Sequence, residues 1–185
     1  MEFAVVDVEA TGGTRQANRI IEIGVVLTDG FEVENTFQTL VDPGRDVPPF
    51  VQRLTGIRQE ELSSAPQFGE LAERLAGMLS ERVFVAHNVG FDYAIVSDEM
   101  RRALCPIELR QLCTLRLSRK FFPGHGHYKL GDVAAFLCLP EFEHHRALGD
   151  AMAAAGILKR VLEEHGEAEV EKLVSRRRYY ARKLK

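Results

Sequence analysis

The segment from Phe3 to Gly13 places two carboxylates on an otherwise apolar strand, and this pairing constrains the rest of the chain. Asp7 and Glu9 are two residues apart, so on a β-strand both side chains lie on one face, about 7 Å apart. Burying two like charges without a partner is costly, and a bound cation removes that cost. Hard oxygen ligands of this kind suit Mg²⁺ or Mn²⁺. A half-exposed strand with a solvated acidic face is the alternative.

Length, charge and cysteine content indicate one domain of an intracellular protein. The chain has 185 residues, enough for one substantial core. Its net charge is −3, so a nucleic-acid site must be a local patch or must use metal ions to offset phosphate repulsion. Cys105, Cys113 and Cys138 are far apart and predict reduced thiols. The sequence contains neither a signal-peptide pattern nor an apolar run of membrane-spanning length, so we expect a cytoplasmic location.

Hydrophobic patterns predict an antiparallel β-meander followed by alternating helices and strands. The predicted strands cover residues 3–8, 19–27, 31–41 and 82–86, with a strand or strand-to-helix junction at 112–117. The predicted helices cover residues 50–62 (as two short turns), 67–80, 91–104, 129–139, 147–164 and 167–185. This order predicts an α/β fold with a mixed sheet and helices on both faces.

Asp92 is one candidate for completing a metal site with Asp7 and Glu9. It follows the apolar strand at 82–86 and lies near the start of a predicted helix. Ligands of α/β proteins gather at the carboxyl edge of the sheet, where such a residue would lie. Aspartate is also a favoured helix N-cap, which is the alternative role.

Asp150 is the second candidate, and two histidines precede it. It lies in a run of small residues that lets another backbone approach closely, although it could instead form a salt bridge or a helix cap. His144 and His145 stand just before it. A histidine beside a metal–carboxylate cluster can accept a proton from water, whereas an isolated pair is more often solvated.

Three motifs in order carry a resemblance to a known family. They are Asp7-x-Glu9-x-Thr11-Gly12, His87-Asn88-x-x-Phe91-Asp92 and His145-x4-Asp150. Together they resemble the DnaQ-like 3′–5′ exonucleases of the DEDDh type, and the likeness covers about residues 3–162. The chain is similar to the epsilon-type proofreading subunit of DNA polymerase III. It departs from the common pattern at Cys113, where many relatives carry an aspartate outside the catalytic set.

The resemblance implies an RNase H-like five-stranded sheet and two divalent metal ions, Mg²⁺ with Mn²⁺ as a substitute. It assigns the metal ligands and catalytic carboxylates to Asp7, Glu9, Asp92 and Asp150. It also selects His145 rather than His144 as the general base, a choice that the residues alone leave open. The implied reaction hydrolyses terminal phosphodiesters of DNA and releases 5′-nucleoside monophosphates.

A frayed or single-stranded 3′ end is the substrate that this family implies. Stacking and apolar wedging would hold its terminal base. The predicted substrate-binding residues are Thr11, Gly12, Phe50, Leu54, Thr55, Asn88, Phe91 and His145. The alternative for Phe50, Leu54 and Phe91 is an ordinary place in the core.

The domain assignment is an exonuclease domain at 1–165 with a basic helical tail at 166–185. The tail contains arginines with two tyrosines between them, so it either contacts nucleic acid or a polymerase partner, or is a solvated helix. Two alternative functions stay open: an exoribonuclease that trims RNA or oligonucleotides, and a non-catalytic nucleic-acid-binding subunit. The presence of all four carboxylates and His145 argues against the second.

Overall fold

One mixed β-sheet runs through the described part of the protein, which in this computed structural model comprises residues 1–14, 17–124 and 126–175. Its strands are β1 (Phe3–Ala10), β2 (Ile20–Thr28), β3 (Val33–Leu40), β4 (Val83–Ala86) and β5 (Gln111–Cys113). They are ordered β3-β2-β1-β4-β5; β1 to β3 are antiparallel neighbours, and β4 and β5 run parallel to β1. The predicted mixed five-stranded sheet is confirmed.

Helices cover both faces of this sheet. They are α1 (Pro49–Thr55), α2 (Gln59–Leu62), α3 (Phe68–Leu79), α4 (Val89–Arg102), α5 (Thr114–Phe121), α6 (Leu130–Phe136), α7 (Ala147–His165) and α8 (Glu167–Glu171). Within the described ranges, every helix is too short or too polar to cross a lipid bilayer.

Alternation along β1 divides the core into two layers. Ala4, Val6 and Val8 pack with side chains of α3 and α4 on one face of the sheet. Phe3 and Val5 pack with α7 on the other face. Because side chains alternate along a strand, Asp7 and Glu9 share the face of Phe3 and Val5. The acidic pair therefore lies on the side of the sheet that α7 covers.

Most predicted elements agree with the structure to within three residues at each end. β3 begins at Val33 rather than at residue 31, because the Asp29 carboxylate accepts hydrogen bonds from the N–H groups of Phe31 and Glu32 at 2.8 Å and holds a turn there. Helix α4 begins at Val89, two residues earlier than predicted. The strand-to-helix alternative at 112–117 is correct, since β5 passes directly into α5.

The prediction of one terminal helix over 167–185 is wrong in its described part. Helix α8 ends at Glu171, and Ser175 then forms an antiparallel bridge with Gln111 of the edge strand β5. Each of these two residues donates its N–H to the carbonyl of the other at 2.8 Å. The pairing satisfies backbone groups on an open sheet edge. Residues 176–185, which hold six of the seven basic residues of the predicted tail, lie outside the described residues.

Candidate active site

Strand β1 carries the first two site carboxylates, and its pairing with β2 defines their neighbours. Asp7 lies opposite Gly24, and Glu9 lies opposite Glu22. The register shifts after Glu9, and the strand ends at Ala10. Directly opposite residues on antiparallel strands project from the same face, so Glu22 is a third carboxylate beside this acidic pair.

Asp92 reaches the same place from the other side of β1. It lies in the first turn of α4, which follows the parallel neighbour β4, and it is buried, with 4% of its surface exposed. The N-cap position of α4 is occupied by Asn88, so the alternative of Asp92 as the helix cap is wrong. Burial raises the pKa of Asp92 to about 8; N–H donors from Asp92 itself and from Val8 oppose this, while the charges of Glu9 and Asp150 add to it.

The start of α7 brings Asp150 and the histidines to β1. Asp150 lies in the first turn of α7, and its carboxylate accepts a hydrogen bond from the backbone N–H of His145 at 3.1 Å. Glu9, His145 and Asp150 each offer one possible ligand atom, and these three atoms lie within 4.8 Å of one another. The Nδ1 of His144 is 4.0 Å from Asp150 Oδ1, and its side chain is 57% exposed. The structure thus brings His145 to the acidic cluster and leaves His144 at its edge.

Burial is the larger cause of the raised carboxylate pKa values in this cluster, and repulsion between the carboxylates adds to it. Burial raises the pKa of Asp7 well above its ordinary value, and the charges of Asp92, Asp150 and Glu9 raise it further. Burial also raises the pKa of Glu9 to about 7, with Asp150 and Glu22 adding to the effect and Arg146 opposing it. Carboxylates packed this closely need a compensating charge to ionise together.

A hard divalent cation fits this donor set. Four carboxylates on three elements, with raised pKa values on Asp7, Glu9, Asp92 and Asp150, offer several oxygen ligands in one partly buried place. Magnesium and manganese ions prefer carboxylate oxygens of this kind. The arrangement is therefore a possible metal-binding cluster, and its composition does not select one ion.

Three of the predicted substrate-binding residues are exposed apolar side chains. Phe50, Leu54 and Phe91 are 57%, 54% and 46% exposed, so the alternative of a core position is wrong for them. A side chain added at Gly12 would meet the Phe50 ring at 3.5 Å, so Phe50 lies against the loop that follows β1. Asn88 is also exposed and adopts a left-handed backbone conformation, with φ 70°.

The remaining predicted substrate-binding residues already have partners within the protein. The N–H of Thr11 donates to the Arg19 carbonyl, and the N–H of Gly12 donates to Asn18 Oδ1 at 2.8 Å. Thr55 is buried, and its hydroxyl donates to the Val51 carbonyl at 3.0 Å. The N–H groups of Thr11 and Gly12 and the hydroxyl of Thr55 are already used in hydrogen bonds within the protein. Any contact of these residues with substrate would therefore involve their other surface atoms or their carbonyl groups. Their role stays a prediction.

Glu22 and the half-buried His87 make several polar contacts, and the sequence analysis gave neither of them a predicted role in the site. Glu22, with 1% of its surface exposed, is bonded to Arg146 at the start of α7. His87 bridges the hydroxyl of Thr114 and the carbonyl of Tyr128, each at 2.9 Å, and burial lowers its pKa. Glu22 is the single charged residue in the β-branched run at 20–26, and this position was the available indication that it has a special role. Nothing local in the sequence identifies the partners of His87.

Proteins of known function resemble this chain in sequence. The RNase_T exonuclease model matches residues 4–158. The chain belongs to the exonuclease family. This exonuclease domain is 34% identical over 170 residues to a DNA polymerase III of the PolC type from Caldanaerobacter subterraneus subsp. tengcongensis, with 92% of the domain and 12% of that protein covered. It is 33% identical over 164 residues to the 3′-5′ exonuclease DinG of Bacillus subtilis, with 88% and 18% covered.

Solved structures place the exonuclease domain in the expected fold. It matches exonuclease X in complex with 5′ overhanging duplex DNA with a TM-score of 0.73 and 25% identity, covering 92% of the domain and 96% of that chain. It matches the nuclease domain of 3′hExo, a DEDDh family member bound to rAMP, with a TM-score of 0.76 and 21% identity, covering 90% and 94%. The predicted RNase H-like fold and the DnaQ-like DEDDh resemblance are confirmed. The domain spans less than a fifth of the length of the two curated relatives described.

Proposed function

We propose that this exonuclease domain is a metal-dependent 3′–5′ exonuclease that acts on DNA and releases 5′-nucleoside monophosphates. The observation that carries the proposal is the convergence of Glu9, His145 and Asp150 within 4.8 Å, on the face of β1 that also presents Asp7. The buried Asp92 adds a fourth carboxylate. A carboxylate cluster with one histidine at its rim has the groups that phosphodiester hydrolysis needs.

In the proposed mechanism, Asp7, Glu9, Asp92 and Asp150 hold two divalent cations, with Mg²⁺ as the usual ion and Mn²⁺ as a substitute. When bound, these ions supply positive charge that stabilises the negative charge developing in the reaction. The oxygen of the attacking water bonds to phosphorus as His145 accepts its proton, while the bond between phosphorus and the 3′-oxygen of the preceding nucleotide breaks and that oxygen takes a proton from solvent. Asp150 holds the backbone of His145 through the 3.1 Å hydrogen bond from its N–H group. The phosphate stays with the released nucleotide.

The exposure of three apolar side chains supports a single-stranded or frayed 3′ end as the substrate. Phe50, Leu54 and Phe91 offer rings and an aliphatic side chain against which an unpaired base can pack. Stacking tolerates any base, because every base has an aromatic face. The terminal base of a duplex is paired and stacked on its inner neighbour, so a paired end must fray before its base can bind there.

DNA is the proposed substrate because the relatives are named as a DNA polymerase and as the exonuclease DinG, and exonuclease X was solved with DNA. A role in replication or repair, with a DNA polymerase as partner, belongs to the same proposal, as does the cytoplasmic location. The exoribonuclease alternative differs only in the sugar that the pocket admits, so it is an arm of the test.

The experiment compares three 5′-labelled substrates: single-stranded DNA, the matched RNA, and a DNA duplex with a mismatched 3′ end. Each is incubated with Mg²⁺, with Mn²⁺ and with EDTA. The variant Asp7→Asn removes one site carboxylate, and Asp29→Asn in the exposed β2–β3 turn is the matched control. We expect ladders that shorten from the 3′ end in wild type and Asp29→Asn, and none with EDTA or Asp7→Asn. A folded wild type that cleaves no substrate would overturn the proposal and favour a binding subunit.

A further inference from the structure

The buried carboxylate of Glu22 is fully occupied by three residues from two places in the chain. Its Oε1 accepts hydrogen bonds from Nη2 and Nε of Arg146, at 2.8 Å and 3.1 Å, and from Gln38 Nε2 at 2.8 Å. Its Oε2 accepts a hydrogen bond from the backbone N–H of Ala147 at 2.9 Å. Although Glu22 lies opposite Glu9 on the neighbouring strand, its oxygens are committed, so it is not an additional metal ligand.

The partners of Glu22 define where α7 begins. Arg146 is the N-cap residue of α7, yet its own side chain caps no N–H of the helix. Ala147 is the first helical residue, and its N–H is one of the donors that a helix leaves unpaired at its start. Glu22 supplies the missing acceptor from β2, 125 residues earlier in the chain. It therefore ties the segment at 146–147 to the strand beside the acidic cluster.

The contacts of Glu22 with Arg146 and Ala147 lie directly beside His145 in the chain. His145 has a positive φ of 60°, a conformation that is unfavourable for a residue with a side chain and must be held by its surroundings. On one side it is held by the hydrogen bond from its N–H to Asp150. On the other side the next residue is Arg146, whose guanidinium makes three hydrogen bonds to Glu22 between 2.8 and 3.3 Å.

The free energy of folding gains little from the ion pair between Glu22 and Arg146, so stability alone does not explain why the pair is present. Glu22 is buried and Arg146 is 34% exposed, and removing the carboxylate and part of the guanidinium from water offsets most of the attraction between them, so the pair contributes little to folding. A guanidinium that meets a carboxylate through two nitrogens does fix direction, because its donors form a rigid fork. The geometry of this pair is therefore better suited to orienting the adjoining residue, His145, than to stabilising the fold.

We propose that Glu22 is a positioning residue that acts through Arg146 to hold His145 in its orientation toward the acidic cluster. This inference rests on the proposed exonuclease function. Glu22 touches no reacting atom, and its effect reaches the reaction through the backbone of residues 145–147.

The test measures kcat and KM on 5′-labelled single-stranded DNA for Glu22→Gln and Arg146→Lys, alone and combined with His145→Ala. Glutamine keeps an acceptor for Ala147, and lysine keeps the positive charge, so both variants retain part of the contact. Glu171→Gln, which removes the charge of the exposed Arg110–Glu171 pair, is the control. Circular dichroism checks folding, and calorimetric titration with Mn²⁺ measures metal binding without catalysis.

We expect Glu22→Gln and Arg146→Lys each to lower kcat about tenfold or more, as small misplacements of catalytic groups do, with little change in KM or in Mn²⁺ affinity. In the His145→Ala background, Glu22→Gln should have no further effect, because residues that act as one unit are not additive. An equal loss in both backgrounds, an unchanged kcat, or the loss of one equivalent of Mn²⁺ overturns the inference. An inactive wild type would instead overturn the proposed function.

Discussion

Asp7 lies directly across the β1–β2 ladder from Gly24, and the missing side chain of Gly24 leaves the space that the start of α7 fills. A Cβ atom on Gly24 would lie 2.4 Å from the carbonyl carbon of Ala147 and 2.5 Å from the nitrogen of Leu148. Both of those atoms belong to the backbone and cannot rotate away. The close approach brings Asp150 and His145 to the carboxylates of β1.

Gly24→Ala should therefore push the start of α7 away from the sheet. We expect a loss of about 1–3 kcal/mol in the free energy of unfolding, as for overpacked cores, and a fall in kcat/KM of roughly a hundredfold from displacement of the site. Denaturant unfolding and the DNA cleavage assay measure the two effects. Gly77→Ala is the matched control: Gly77 is exposed in α3 with open space around it, so alanine should stabilise the helix by about 0.5–1 kcal/mol.

Asp92→Asn should alter how the stability of the metal-free protein depends on pH. Folding raises the pKa of Asp92 from 3.8 to about 8, so the folded protein holds a proton that the unfolded chain releases above about pH 4. Stability without metal therefore falls as the pH rises from about 4 to 8. Asparagine cannot ionise, so the variant should lose less stability across that window, by up to about 1.4 kcal/mol for each pH unit.

Urea unfolding in EDTA at several pH values tests this prediction, and Asp29→Asn, which changes an exposed aspartate, serves as the control. Parallel curves for wild type and Asp92→Asn would show that Asp92 ionises normally. The same variant should lose cleavage activity, because a neutral amide is a weaker partner for a divalent cation than a carboxylate.

Affinity for Mn²⁺ should rise with pH. Cations bind ionised carboxylates, and the pKa values of Glu9 and Asp92 are raised to about 7 and about 8, so binding at neutral pH must displace protons. We expect affinity to increase by up to about tenfold per pH unit for each proton displaced. Calorimetric titrations in two buffers with different ionisation enthalpies count the released protons. An affinity that is constant between about pH 6 and 8 would contradict the raised pKa values.

His145→Ala should lower kcat by about 10²- to 10⁴-fold, the usual effect of removing a general base. Its side chain is exposed, so we expect thermal stability and Mn²⁺ binding to change little. His144→Ala is the matched control, since His144 lies at the edge of the cluster, 4.0 Å from Asp150. A large loss of kcat in His144→Ala with normal kcat in His145→Ala would reverse the assignment.

Phe50→Ala should weaken binding of single-stranded DNA by about 1–3 kcal/mol if a base stacks on this ring. Binding can be measured by fluorescence anisotropy with Ca²⁺ in place of Mg²⁺. Stability should change little, because more than half of the Phe50 surface is exposed. The control is Phe31→Ala, which alters an exposed ring at the opposite end of the sheet, next to the β2–β3 turn. Equal weakening in both variants would contradict a specific role for Phe50.

Local patterns were sufficient for most of the fold and for the main candidate residues. Alternation places Asp7 and Glu9 on one face of β1, and the position of Asp92 after β4 places it at the sheet edge. Predictions that depended on neighbours were less successful. The terminal helix stops at Glu171, and Ser175 pairs with β5 instead, whereas the substrate contacts of Thr11 and Gly12 stay predictions.

The sequence by itself determined which residue types lie on which face of each strand and helix, because those periods of two and 3.6 residues are local. It also carried the motifs that identify the family. Only the tertiary structure decided which distant supporting groups meet: Glu22 with Arg146, and Gly24 with Ala147. Those contacts join positions more than 120 residues apart. They depend on how strands pair and how closely a helix packs on them, which no local pattern records.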